Sequence, residues 1–115
     1  MPLVILRTDP RFVSDDARAA IAKRLPRFVV EGLSCQEGPL EEKDIGILMR
    51  HIDPDTDIGF SVVSITVIAN DYPERRRLVE RAASHIDGAI RGDCLHSGQR
   101  CAVWILLGVG AYKES

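Results

Sequence analysis

The feature that most constrains this chain is an apolar pattern that occurs twice within 115 residues: a β-branched run, an amphipathic helical stripe, then a second run. Leu3-Val4-Ile5-Leu6 reads as a buried strand that ends at Thr8-Asp9-Pro10. Ser14 is a good helix N-cap, and Asp15 and Asp16 face the positive end of the helix dipole. Ile21, Leu25, Phe28 and Val29 follow at helical spacing, which predicts a helix over 15–31 that Pro26 kinks or shortens and Gly32 stops. A loop over 33–44 leads to a second strand over 45–52, where Gly46, Leu48 and Arg50 share a face because strand side chains alternate. The second unit has a strand over 60–68 and a helix opened by Asn70-Asp71-Tyr72-Pro73, with Pro73 at its favoured first position. The stripe Leu78, Val79, Ala82, Ile86, Ala89 and Ile90 runs to a stop at Gly92, and a strand over 101–107 precedes a short tail.

Two β-α-β units, 2–52 and 60–107, predict one α/β (α+β) domain over 1–115: a four-stranded sheet with two helices on one face. The other sheet face is left bare. Strand residues of both parities are apolar, so association through sheet face or edges is expected. A chain this short buries one core and little more, which places any chemistry at a subunit interface.

Composition narrows the partners. The net charge of −2 gives no support to nucleic-acid binding. Of the 15 basic residues 12 are Arg, which suits forked recognition of carboxylate or phosphate. Three cysteines without a CxxC motif fit a reducing compartment and a cytoplasmic location. The chain shows no signal-peptide pattern, and its longest apolar stretch, near 103–112, is too short to span a membrane.

The most distinctive candidate for chemistry is Pro2. The small residue after Met1 permits removal of the initiator, which leaves a secondary amine at the head of a strand. An α-amino group titrates near ~7.7–8.0, and burial or neighbouring Arg charges lower it further. A neutral amine at pH 7 is a general base. Arg50, amid an apolar strand, must reach solvent, a partner or a ligand. Arg7 snorkels from a strand end, and Arg75-Arg76-Arg77 reads as a solvated helix face.

Other patterns reduce to structure. Asp53, Asp55 and Asp57 resemble the start of a calcium loop, but Ile58 and Ser64 stand where Gly and Glu are needed, so a turn is expected. Cys94, His96 and Cys101, with His85, match no zinc spacing, so no metal site is assigned. Gly108-x-Gly110 precedes no helix and is no dinucleotide loop.

Met1-Pro2, a strand beginning at Pro2 and two β-α-β units in this length resemble the tautomerase superfamily. Its macrophage migration inhibitory factor-like members and 5-carboxymethyl-2-hydroxymuconate isomerases are of similar length. The resemblance implies Pro2 as general base, no cofactor, and a homotrimer with sites between subunits. It also implies a small carboxylate-bearing substrate, an enol or a 2-hydroxydienoate/2-keto acid. Arg11, ahead of Phe12-Val13-Ser14-Asp15, is similar in place to the arginine before the first helix of short 4-oxalocrotonate tautomerases. Gly46 or Arg50 falls near their second-strand arginine, and only Arg50 supplies the group. Val103-Trp104-Ile105 resembles the pocket-lining aromatic of the last strand, and a backbone donor is implied around Ile68 or Ala69. The inhibitory-factor-like members carry Lys after a loop glycine, where this chain has Gly38-Pro39. The implied site is therefore catalytic Pro2, with Arg11, Arg50, Ile68 and Trp104 binding substrate. Two other readings stand beside it: a non-catalytic oligomeric ferredoxin-like module that binds a small molecule or regulates, and an oligomer that keeps the fold without the activity.

Overall fold

Side-chain alternation along the first strand, β1 (Leu3–Thr8), sets the layers. Val4, Leu6 and Thr8 are fully buried on one side, while Leu3, Ile5 and Arg7 point to the other and are only half-buried. The computed structural model describes residues 2–95 and 98–108. The positions of Met1, His96, Ser97 and the tail over 109–115 lie outside the described residues, so the readings that involve Met1, His96 and Gly110 are not addressed by it.

Helix α1 (Asp15–Leu33) starts as its sequence predicts, with the Ser14 hydroxyl accepting from Ala17 N at 3.1 Å. It is two residues longer than expected, and Pro26 does not shorten it. Ile21, Leu25, Phe28, Val29 and Leu33 are buried on both sides of the proline. At about 1.5–3 kcal/mol each, their burial exceeds the roughly 3 kcal/mol that an interior proline costs. Gly32 is not the stop: the helix passes through it and ends where Ser34 N bonds the Val30 carbonyl at 3.1 Å. Gly32 serves instead as the crossing point with the second long helix, since a Cβ there would stand 2.8 Å from the Ala82 Cβ.

A 3-10 turn at Glu42–Asp44 leads into β2 (Gly46–His51), and β3 (Val63–Asn70) opens the second unit. The third strand thus lies a few residues later than its pattern suggested. The expected single helix from Pro73 is split into a short α2 (Pro73–Arg76) and a long α3 (Val79–Cys94). The Leu78 amide bonds the Arg75 carbonyl at 2.9 Å, an i to i+3 closure that breaks the helical run. Gly92 does not end α3, which continues to Cys94. Strand β4 (Cys101–Gly108) completes the sheet.

The sheet order is β2-β1-β3-β4. Each unit pairs its own strands in parallel, and the two units join through the antiparallel pair β1 and β3. Val63, Ile65 and Val67 of β3 join Val4 and Leu6 of β1 in a core closed by Ile21, Leu25 and Val29 from α1 and Ala82, Ile86 and Ile90 from α3. This is the four-stranded α+β architecture with its helices gathered over one sheet face. Among the described residues, no helix is long and apolar enough to cross a membrane.

Replacing Gly32 by Val should force α1 and α3 apart and destabilise the fold by roughly 2 kcal/mol despite the better helix propensity of Val over Gly. Urea denaturation checks this, and an unchanged midpoint would show that the helices do not cross at Gly32.

Candidate active site

Three rows of side chains cross the open face of the sheet, and the strand register fixes them. Gly46, Leu3, Ile68 and Leu106 form the first row, and Leu48, Ile5, Thr66 and Trp104 the second. Arg50, Arg7, Ser64 and Ala102 form the third. The first two rows are largely apolar and uncovered: Trp104 is 46% exposed and Leu106 54%. The face that the sequence leaves bare is therefore bare in the folded chain, with cations at one end and apolar groups toward the other.

Pro2 lies just beyond the apolar end. It is buried, and its carbonyl accepts from Gly46 N at 3.0 Å, which ties the head of β1 to the head of β2. Extending the ladder by one residue places Ala69 across from Pro2, with Ile68 in the adjoining row. Trp104 stands one row further along the same face. Pro2, Ile68 and Trp104 are thus gathered toward one end of one sheet.

Arg11 and Arg50 are not at that end. Arg50 pairs with Arg7, five residues along β1 from Pro2, or about 17 Å at the usual strand rise. Of the two second-strand candidates, Gly46 is the one beside Pro2, and it carries no guanidinium. Arg11 follows β1 at the same far end as Arg50. Its Nε and Nη2 donate to Asp9 Oδ1 and Oδ2 at 3.1 and 2.7 Å, and its backbone N donates to Oδ1 at 3.0 Å. The hydrogen bonds from Arg11 hold the Asp9 carboxyl below its ordinary range, against the opposing effect of burial. Within this chain, then, the Arg11 fork is engaged by a carboxylate.

Two features escaped the sequence reading. Arg75, assigned to a solvated face with its neighbours, is only 2% exposed, whereas Arg76 pairs with Asp71 on the surface and Arg77 is exposed. Three adjacent arginines carry no signal that one of them turns inward. The partner of Arg11 was visible as an acidic residue two positions before it, a spacing that favours a local ion pair. The cysteines add no nucleophile at Cys101: burial pushes its thiol up to about 12, with Asp87 adding to the rise. A cleft of about 290 Å³ lies on the helix side, lined by Glu31, Gly32, Ser34, Leu78, Arg81 and His85, and holds none of the sequence-predicted site residues.

No family model and no curated protein matches this chain. Solved structures do. MIF2 of Leishmania major is 19% identical, with 94% of this chain and 89% of that one covered at a TM-score of 0.58. A fused 4-OT described as an asymmetric trimer is 18% identical, covering 91% and 85% at a TM-score of 0.65. A malonate semialdehyde decarboxylase is 13% identical, covering 97% and 91% at a TM-score of 0.66. These are tautomerase-superfamily proteins, and the chain has their fold.

Because the Asp9 carboxyl is held low in the folded chain, its stabilising contribution is complete above the ordinary carboxylate range near ~4 and is lost as pH falls through the lower folded value. Asp9→Asn should therefore lower the Tm by a few degrees at pH 7, with the difference from the parent closing in acid. Thermal melts across pH check this, and a difference that does not vary with pH would contradict it.

Proposed function

We propose that this protein is a tautomerase or isomerase in which Pro2, freed by removal of Met1, acts as general base. The substrate class is an enol, a 2-hydroxydienoate or a 2-keto acid bearing a carboxylate. The Pro2 nitrogen takes the proton of the enol hydroxyl while the electron pair moves into the conjugated system. The resulting Pro2 ammonium then returns that proton to carbon, so substrate and product differ only in where one hydrogen sits. The observation that carries this reading is the placement of Pro2: a buried residue at the head of a strand, beside an exposed apolar sheet face, in a chain with the tautomerase fold. An apolar setting disfavours the ammonium form and keeps the amine available as a base.

The guanidinium groups come from a second subunit in this reading. About 17 Å separates Pro2 from Arg50 along β1, further than a small carboxylate substrate reaches. An oligomer that covers the bare face with a neighbour's cationic end brings Arg50 to Pro2. Arg11 joins it if the Asp9 pair opens, and Ile68 and Trp104 supply the dry wall between. Arg50 then stabilises the charge that develops on oxygen as the proton leaves. The assembly we infer here is a homotrimer, a reading supported by the trimer named for the fused 4-OT neighbour. The engagement of Arg11 by Asp9 favours a second reading, an oligomeric small-molecule binding module without turnover.

The intact mass should show a chain lacking Met1, and Pro2→Ala should lower kcat/KM on phenylenolpyruvate or 2-hydroxymuconate by at least ~100-fold. Retained Met1 or unchanged turnover removes Pro2 from the chemistry, and a parent without activity favours the binding module. Leu106→Asp tests the assembly. Its side chain is exposed in the isolated chain, so the fold should survive while sedimentation drops from three chains to one. A parent that sediments as a single chain would refute the shared site.

A further inference from the structure

Among the described residues, Arg75 is a buried cation, only 2% exposed, with no ion-pair partner. Its guanidinium spends its hydrogen bonds on three backbone carbonyls from three separate segments. The Nε donates to Leu33 O at 3.0 Å, Nη1 to Asn70 O at 3.0 Å and Nη2 to Gly38 O at 2.6 Å. The Tyr72 ring stacks on the same group, 5.0 Å from its carbon to the ring centre. The fit is close enough to dictate a second residue: a Cβ on Gly38 would stand 2.6 Å from the Tyr72 ring and 2.7 Å from Arg75 Nη2.

All three carbonyls belong to the Pro2 end of the sheet. Leu33 closes α1, and Gly38 lies in the loop that runs into Gly46, whose amide bonds the Pro2 carbonyl. Asn70 ends β3, one residue past the position across from Pro2. Leu33 and Gly38 come from the first β-α-β unit and Asn70 from the second, so one side chain fastens the two halves together at this end. The planar fork suits that task, because it reaches several acceptors at fixed angles, which a lysine ammonium on a flexible stem does not.

We propose that Arg75 is the positioning residue of the Pro2 end, a clamp that fixes the loop over 34–44 and the end of β3 as the walls of the site. The clamp stands on its own geometry, and only its bearing on turnover rests on the reading of Pro2 as base. It also accounts for the loop having Gly38 where any side chain would clash, with the positive charge behind the loop supplied from α2.

Amide hydrogen exchange on Arg75→Lys and Gly38→Ala, in the full chain, tests this. Leu40 and Asp71 should exchange about tenfold faster or more in either variant, and Gly38 likewise in Arg75→Lys, while the core amides of Leu6 and Ile65 keep their parental rates. If one variant fails to fold, the other decides. Parental exchange at Leu40 and Asp71 overturns the clamp, as does an equal acceleration at Leu6 and Ile65, which would mark a general loss of stability. In turnover of phenylenolpyruvate, Arg75→Lys should raise KM about tenfold and leave kcat within about twofold. Equal kinetics in a variant with a loosened loop would refute the positioning role while leaving Pro2 as base. Absence of turnover in the parent would remove Pro2 and leave the exchange result to decide the clamp.

Discussion

Alternation of side chains along β1 is the constraint on which the rest of this molecule depends. Val4, Leu6 and Thr8 are sealed under two helices, so Leu3, Ile5 and Arg7 must face the other way. A slip of one residue would exchange the two sets and leave Arg7 in the core. Because β1 pairs on both sides, its register passes to β2 and β3 and from β3 to β4. The rows of the open face follow, with cations at one end, apolar groups at the other and Pro2 just beyond the apolar end. The separation of Pro2 from Arg50 has the same origin. The division of the proposed site between subunits is thus a consequence of strand polarity, and no loop rearrangement in one chain would close the gap.

Periodic segments were legible in the sequence because burial on one face is written into spacing. The stripe around Ile21 and Leu25 and the stripe through Ala82, Ile86 and Ile90 both lie against the sheet as their spacing requires. Boundaries set by packing were not legible. Gly32 and Gly92 look like helix stops in one dimension, but Gly32 is where Ala82 approaches and Gly92 lies within α3. A glycine signals permissiveness, and only the third dimension says whether a turn or a close contact uses it. The split between α2 and α3 was hidden for a similar reason, since it turns on a single backbone closure at Arg75 and Leu78.

The arginines show the limit most clearly. Arg50 stands out in sequence for its apolar neighbours, yet it is exposed on an edge strand, where a guanidinium is readily hydrated. Arg75, hidden in a run of three, is the buried one. Charge patterning follows the average surface, and a desolvated cation is chosen by acceptors that come together only on folding: here the carbonyls of Leu33, Gly38 and Asn70. The candidate site was therefore half legible. The strand that Pro2 heads and the bare apolar wall could be read from spacing, and Asp9 two positions before Arg11 carried a signal for their pair, whereas the buried Arg75 required coordinates.

The central claim is that Pro2 presents a neutral amine in an apolar, cation-rimmed crevice between protomers. Nitrogen-15 NMR titration of the Pro2 imino group in the assembled protein measures it most directly. The account predicts a titration well below the ordinary amino-terminal range, moving back toward that range when the assembly is dispersed. A Pro2 nitrogen that titrates as an ordinary solvated terminus in the intact oligomer, or one still blocked by Met1, would contradict it.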